Sequence, residues 1–328
     1  MTRPRLLITR RVFPEVVDAL RAAYEVETND DDAFWTPEQT REKAAGCEAL
    51  YVVATDRVDD ALLSACPRLR IVATGSVGYN QIDVAACTAR GIVVTNTPDV
   101  LTEATADMAW ALLMATARRV TESERWLREG RWGRWAWDQF LGADVHGATL
   151  GIVGMGRIGS AVARRALGFS MRLQYTNRSP APNEAELGAT RVGLDTLLAT
   201  SDHVVLVLPY SLQTHHLIGA PQLARMKPGS TLVNIARGGV VDDAALARAL
   251  RDGPLAAAGL DVFEGEPAVN AALLDVPNVV LTPHIGSATR SSRLAMAMLA
   301  ARNLLAFAAA APLPTPVNAD ALRARRPA

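Results

Sequence analysis

Thr149-Leu150-Gly151-Ile152-Val153-Gly154-Met155-Gly156-Arg157-Ile158-Gly159 decides how this sequence folds. The apolar run Leu150 to Val153 reads as a strand. It leads into a Gly-x-Gly-x-x-Gly that opens a helix from Arg157 to Leu167. That spacing alone is a weak signal, but between a strand and a helix each glycine has its own task. Gly154 permits the tight turn, Gly156 lets the backbone approach a pyrophosphate, and Gly159 lets helix and strand pack closely. The first helical turn, with Arg157 and Ile158, offers N–H groups and a partial positive charge to phosphates. The stretch therefore predicts the opening βαβ unit of a dinucleotide-binding fold.

Working outward, the downstream chain continues the rhythm. Strands are expected at Arg172 to Thr176, His203 to Val207, Thr231 to Asn234, Ala256 to Gly259 and Val279 to Leu281, with helices between them. With Thr149 to Val153 they make six strands, enough for one complete dinucleotide fold. Upstream, strands are expected at Arg5 to Thr9, Tyr24 to Glu27, Leu50 to Val53, Leu69 to Ala73 and Ile92 to Val94. Thr36-Pro37-Glu38-Gln39 has the form of a helix start with a capping box. Strands alternating with helices argue for parallel sheets covered on both faces. Between the two series lies one apolar helix, Thr102 to Val120, expected to be buried between domains or at a subunit interface. A polar stretch holding Trp126, Trp132, Trp135 and Trp137 follows it. A long Ala- and Leu-rich helix, roughly Ser287 to Ala310, closes the pattern, and Arg323 to Ala328 reads as a frayed tail.

A complete nucleotide fold in the middle leaves the two ends to build the other domain. The expected class is α/β with two Rossmann-like domains and doubly wound parallel sheets. The substrate domain is split, 1–101 plus 288–328, around a dinucleotide-binding domain at 102–287.

Composition narrows the setting. Lys plus Arg and Asp plus Glu each number 34 in 328 residues, so net charge gives no reason to expect nucleic acid or a membrane surface as partner. No apolar run approaches the ~20 residues of a membrane span, and the N-terminal run Leu6 to Ile8 is too short for a signal peptide. Cys47, Cys66 and Cys87 match neither a zinc pattern nor a disulfide framework. A cytoplasmic protein is expected.

In NAD-binding folds an acidic residue about twenty positions past the glycines takes the ribose 2′-hydroxyl. This chain has Thr176-Asn177-Arg178-Ser179 there. A guanidinium flanked by an amide and a hydroxyl suits a 2′-phosphate, so NADP (NADPH) is expected over NAD. Further chemistry comes late in the chain. Asn234-Ile235-Ala236-Arg237-Gly238-Gly239, Asp261-Val262-Phe263-Glu264-Gly265-Glu266-Pro267 and Thr282-Pro283-His284-Ile285-Gly286 each follow a strand. Singly, Arg237 could cap a helix, Glu266 fill a turn and His284 sit satisfied in a core. One Arg, one carboxylate and one His at the carboxyl edge of a nucleotide-binding sheet, where such folds bind ligands, point instead to a site.

With these residues in place, the chain resembles the D-isomer-specific 2-hydroxyacid dehydrogenases, and within them the glyoxylate and hydroxypyruvate reductases. The resemblance rests on Gly75-Ser76-Val77-Gly78-Tyr79-Asn80-Gln81-Ile82-Asp83, Thr97 to Thr102, the glycine motif, Asn234 to Gly238, Ala258 to Phe263, and Pro283 to Thr289. It implies reduction of a small 2-oxo acid. His284 would be the acid/base, Glu266 its carboxylate partner, and Arg237 the grip on the substrate carboxylate and reacting carbonyl. Backbone N–H groups of Val77 and Gly78 would hold the carboxylate. Cofactor contacts are implied at Thr105, Pro209, Thr214, Ile235, Ala236, Asp261 and Gly286. The chemistry agrees independently. The proton needs a donor charged near neutral pH, which an imidazole beside a carboxylate supplies. The developing alkoxide needs a lasting positive charge, which Arg supplies.

The resemblance leaves neighbouring specificities open. Phosphoglycerate-oxidising relatives often carry an extra C-terminal domain, and the formate-specific branch has Gln where Glu266 stands. Corepressors of the same fold bind dinucleotide chiefly to dimerise, but here Arg, Glu and His are all present. The apolar helix Thr102 to Val120 and the Trp-rich stretch after it predict a two-fold homodimer joined through the nucleotide domains. The Trp cluster reads either as plain interface packing or, as in related enzymes, as the source of an aromatic that reaches the partner's substrate pocket. No spacing suggests a metal. The adjacent His215 and His216 are expected to diverge as solvated or cofactor-side loop residues, and His146 suggests no role.

Overall fold

The computed structural model describes residues 3–320. The chain divides into two compact units, Met1–Leu101 with Thr289–Ala328, and Thr102–Ala288. The tail expected at Arg323 to Ala328 lies outside the described residues. No helix among the described residues is long and apolar enough to cross a membrane.

The first unit holds β1 (Arg5–Ile8), β2 (Glu25–Thr28), β3 (Ala49–Val52), β4 (Ile71–Thr74) and β5 (Val93–Thr95). They form one parallel sheet in the order β2-β1-β3-β4-β5. Successive side chains alternate between faces, so each strand feeds two cores. Leu7, Leu50, Val72 and Val94 meet one helical layer, while Leu6, Ile8, Tyr51 and Ile71 meet the other. The second layer includes the long helix Arg290–Ala308, which presents Ala297, Ala300, Ala301 and Leu304 to the sheet. Tyr24 donates its hydroxyl to the Leu304 carbonyl (2.7 Å). Beyond this helix, Asn318 accepts from the Val94 N–H (2.9 Å) and donates to the Ile92 carbonyl (3.0 Å). The C-terminal segment is thereby stitched onto β5. The capping box at Thr36 forms with both reciprocal hydrogen bonds.

The second unit holds β6 (Thr149–Val153), β7 (Arg172–Thr176), β8 (Ala189–Arg191), β9 (His203–Leu206), β10 (Thr231–Asn234), β11 (Ala257–Leu260) and β12 (Val279–Leu281). All are parallel, in the order β12-β11-β10-β9-β6-β7-β8. The sheet winds outward in both directions from the β6/β9 pair, and that reversal leaves a crevice at the carboxyl ends of these two strands. Seven strands form where six were expected. The added one, β8, is a three-residue edge strand with the polar sequence Ala-Thr-Arg, paired only to β7. It has no apolar run to betray it.

The apolar helix also departs from expectation. It spans Thr102–Ala117 and stops there. Ala143 N–H reaches back to the Ala117 carbonyl (2.8 Å), Arg119 turns left-handed (φ 53°), and a second helix runs Val120–Arg128, taking Trp126 with it. The apolarity of Thr102–Ala117 is spent inside its own unit. Leu112 and Thr116 lie so close to Gly259 of β11 that a Cβ there would be 3.0 Å from Leu112, and Trp110 stacks on Phe169 at 4.7 Å. The helix covers the β10/β11 face of the sheet, so its buried residues belong to the core of its own unit.

Candidate active site

Three neighbouring strands deliver the late motifs to one edge. β10, β11 and β12 are adjacent and parallel, so the segments that follow them emerge side by side. After β10, the buried Asn234 shapes a turn: its Oδ1 accepts from Ala236 N–H (3.0 Å) and its amide donates to the Arg237 carbonyl (3.3 Å). Gly238 then passes so near the backbone of Phe263 that a Cβ would overlap its carbonyl. That contact sets the Arg237 turn against the Phe263–Glu266 segment. Arg237 is half-buried and donates from Nη1 to the Ala236 carbonyl (2.7 Å). Burial lowers its guanidinium from the ordinary value, against the opposing pull of the Glu266 charge.

Glu266 is fixed at both oxygens. Oε1 accepts from Phe263 N–H (2.8 Å), and Oε2 accepts from Nδ1 of His284 (2.7 Å). Burial pushes its carboxyl up, but the hydrogen bond and charge of His284, the Phe263 N–H and the Arg237 charge outweigh that and hold it below the usual value. The Nδ1 contact to the carboxylate leaves Nε2 of His284 as the nitrogen that can give or take a proton. His284 sits at φ 52°, a left-handed conformation uncommon for a residue with a side chain.

Asp261 supplies what holds it there. Its buried carboxylate accepts from Thr282 Oγ1 (2.7 Å), Ile285 N–H (2.8 Å) and Gly286 N–H (2.7 Å), bracketing His284. The buried Thr105 lies beside Gly286, with Cγ2 3.6 Å from where a Cβ would stand. A positioning role for Asp261 was not visible in the sequence, where it read only as a cofactor contact.

The glycine segment lies after β6, at the strand-order reversal. Gly154 has φ 101° and passes the β9 side so closely that a Cβ would be 2.6 Å from the Val207 carbonyl. Gly159 packs against the Gly154 carbonyl, and Ile235 and Ala236 are buried nearby in the same unit. A Cβ on Gly156 would meet nothing within 4 Å, and no side chain caps the helix Arg157–Ala166, which begins with Arg157 and Ile158. Open backbone at an uncapped helix N-terminus fits a dinucleotide pyrophosphate. Across the crevice, Thr214 Oγ1 accepts from Ser211 N–H (2.7 Å) and donates to the Pro209 carbonyl (3.1 Å), closing its own turn.

At the end of β7, Arg178 and Ser179 are exposed. Asn177 has a second task beside the one expected. Its Oδ1 accepts from Met155 N–H (2.7 Å) and its amide donates to the Met155 carbonyl (3.1 Å), so both polar atoms brace the glycine turn. A residue missed from sequence supports the same loop. Arg191, on the unforeseen β8, donates to the carbonyls of Asn177 (2.9 Å) and Arg178 (2.8 Å), placing a second guanidinium beside this loop.

In the first unit, Val77 and Gly78 occupy the turn after β4. Their carbonyls accept from Asn96 Nδ2 (2.8 Å) and Ser76 Oγ (2.7 Å), which fixes the turn. His215 and His216 overturn the expectation that they diverge: their rings stack at 3.9 Å.

Comparison with known proteins agrees with this geometry. The family model of the D-isomer specific 2-hydroxyacid dehydrogenase NAD binding domain matches residues 110–286. A glyoxylate reductase of Thermococcus onnurineus is 50% identical over 330 aligned positions, covering 99% of each chain. The NADPH-dependent glyoxylate/hydroxypyruvate reductase of Sinorhizobium meliloti, solved in complex with NADP and malonate, superposes with a TM-score of 0.86 at 38% identity over 100% of both chains. A D-lactate dehydrogenase of Aquifex aeolicus, solved with NAD and lactic acid, gives a TM-score of 0.81 at 29% identity, covering 93% of this chain and 95% of its own. The chain belongs to the D-isomer specific 2-hydroxyacid dehydrogenases.

Proposed function

We propose that this enzyme reduces a small 2-oxo acid of the glyoxylate or hydroxypyruvate type to the D-2-hydroxy acid, with NADPH preferred over NADH. The observation that carries the reading is the 2.7 Å pairing of His284 with Glu266, beside Arg237 on adjoining strands. Bound reduced nicotinamide supplies the hydride. His284 gives the proton to the carbonyl oxygen from Nε2, while Glu266 stabilises the charged ring and fixes its orientation. Arg237 steadies the negative charge developing on that oxygen and grips the substrate carboxylate. The turn at Val77 and Gly78 is assigned a carboxylate-holding role.

On the cofactor side, the glycine turn with Arg157 and Ile158 takes the pyrophosphate. Thr105, Pro209, Thr214, Ile235, Ala236, Asp261 and Gly286 line the remainder. Arg178, with Ser179, takes the 2′-phosphate. The dinucleotide domain is assigned to the second unit and the substrate domain to the first. A homodimer in the cytoplasm completes the reading; Cys47, Cys66 and Cys87 are buried thiols, in keeping with a reducing compartment.

The test is loss of NADPH absorbance on adding glyoxylate, hydroxypyruvate, pyruvate or a bulkier 2-oxo acid, each repeated with NADH. The reading expects the highest kcat/KM for the two small substrates. Turnover of bulky 2-oxo acids alone, or none with any, overturns it.

A further inference from the structure

We propose that His215, His216 and Glu264 form a site for a divalent transition-metal ion of the zinc type, separate from the His284 centre and independent of the reading above. Each residue offers one ligand atom, and the three lie within 4.8 Å of one another. Nε2 of His216 is 2.9 Å from Oε2 of Glu264. Zinc bonds to imidazole and carboxylate run about 2.0–2.2 Å, so an ion replacing the shared proton needs only a small parting of this pair.

Two features make the cluster more than a chance meeting of polar groups. Neighbours in an extended chain point to opposite sides, but His216 is left-handed (φ 49°), and its ring stacks at 3.9 Å on that of His215. The supports are also in place. Tyr210 Oη lies 3.2 Å from Nδ1 of His215 and orients that ring, and His216 N–H donates to the Gly239 carbonyl (2.7 Å). Behind Glu264, Asp243 Oδ2 accepts from its N–H (3.2 Å). Outer contacts of this kind hold metal ligands in position.

Two imidazoles and one carboxylate on a solvent-facing surface leave coordination positions for water. This donor set suits zinc and its transition-metal neighbours, whereas magnesium and calcium require mostly oxygen. The ion would tie the segment after β9 to the segment after β11, now bridged here by the His216–Glu264 contact. Occupancy should therefore raise the thermal midpoint.

The experiment titrates chelator-treated full-length protein with zinc chloride by calorimetry, and follows cobalt chloride by its visible absorption. Expected are saturable micromolar binding of about one ion per chain, no response to magnesium, and a higher melting temperature with zinc. His216→Ala and Glu264→Gln should each weaken zinc binding by about tenfold or more, while metal-free activity stays at the wild-type level. Retained activity certifies that the variants are folded, and His284→Ala should bind zinc as wild type does. Absence of saturable binding overturns the proposal. So does binding that survives both substitutions, or that disappears in His284→Ala, since either moves the ion elsewhere.

Discussion

The charge state and aim of each ionised residue at the site are set by the groups that hold it. Glu266 is kept charged to below its ordinary value of 4.5, so its negative charge is present through the whole neutral range. Its contribution to stability is present above that ordinary value and lost only as pH falls through the lower folded one. Replacing His284 by Ala should cut kcat by about 10²–10⁴-fold, the usual share of general acid catalysis, with NADPH affinity nearly unchanged. Glu266→Gln keeps the shape of the side chain but removes the charge that orients and stabilises the imidazole, so kcat should fall by about tenfold or more while NADPH affinity holds. A variant with wild-type kcat would refute the pairing. Arg178 is exposed beside the glycine turn, and a charge-assisted hydrogen bond contributes about 1.5–3 kcal/mol. Arg178→Ala should therefore weaken NADPH binding by about tenfold or more and leave NADH nearly unchanged, measured as two dissociation constants. Equal losses for both would make Arg178 a support of the loop. These residues were legible because each lies just past a predicted strand. The bracing of Met155 by Asn177 was not legible, because sequence gives a side chain's chemistry without its partner.

At the scale of elements, legibility followed the apolar pattern. Strands such as β9 and β10 are buried on both faces and announce themselves as continuous Val and Leu runs. β8 does not, and Arg191 was lost with it. The break after Ala117 was hidden for a similar reason: it is made by a return of the chain at Ala143, a long-range contact no local pattern encodes. A buried histidine at the start of β9 gives this sheet a pH dependence. His203 is fully buried, with Nδ1 2.8 Å from Thr231 Oγ1 on β10 and Nε2 3.0 Å from the Asp144 carbonyl. Burial lowers its pKa from 6.5, with the Asp144 carbonyl and the Asp202 charge opposing. The unfolded chain thus takes up this proton more readily. Stability is full above pH 6.5 and falls as pH drops through it, by up to about 1.4 kcal/mol per pH unit. Asp243, raised to about 6 chiefly by burial, acts in the opposite sense, gaining stability as pH falls through that value. The difference between wild type and His203→Gln isolates the histidine. Urea unfolding at pH 7.5 and pH 5.5 should show wild type losing more stability than the variant (values on the order of one pH unit either side of the titration). Equal losses would mean His203 is not neutral in the fold.

For the molecule as a whole, the apolar surface that needs covering lies in the second of the two places the sequence pointed to, the Trp-rich stretch. Thr102–Ala117 is satisfied by its own sheet, and the exposed apolar groups gather just after it. Leu127, Trp132, Trp135, Trp137 and Leu141 are all more than half exposed, Trp137 at 86%, and Trp135 meets Trp137 edge-on at 4.7 Å. Single exposed apolar residues are ordinary, but three tryptophans and two leucines exposed within fifteen residues of sequence, two of the tryptophans in contact, are a concentration that calls for a cover. Tryptophan is also the residue type most enriched where interfaces draw their binding energy. A second copy of the chain is the simplest cover, since a two-fold arrangement lets the same patch serve both partners. Sedimentation equilibrium at micromolar concentration should return twice the chain mass. Replacing Trp135 and Trp137 together by Ser should shift the protein toward monomer by a factor of about ten or more in dissociation constant, because burying such anchors is worth 2 kcal/mol or more, on the order of the figure for interface hot spots. The variant's melting curve serves as the control for folding, as neither side chain contributes to the core. A wild-type protein that stays monomeric at these concentrations would leave the tryptophans without a partner and would remove the homodimer from the reading.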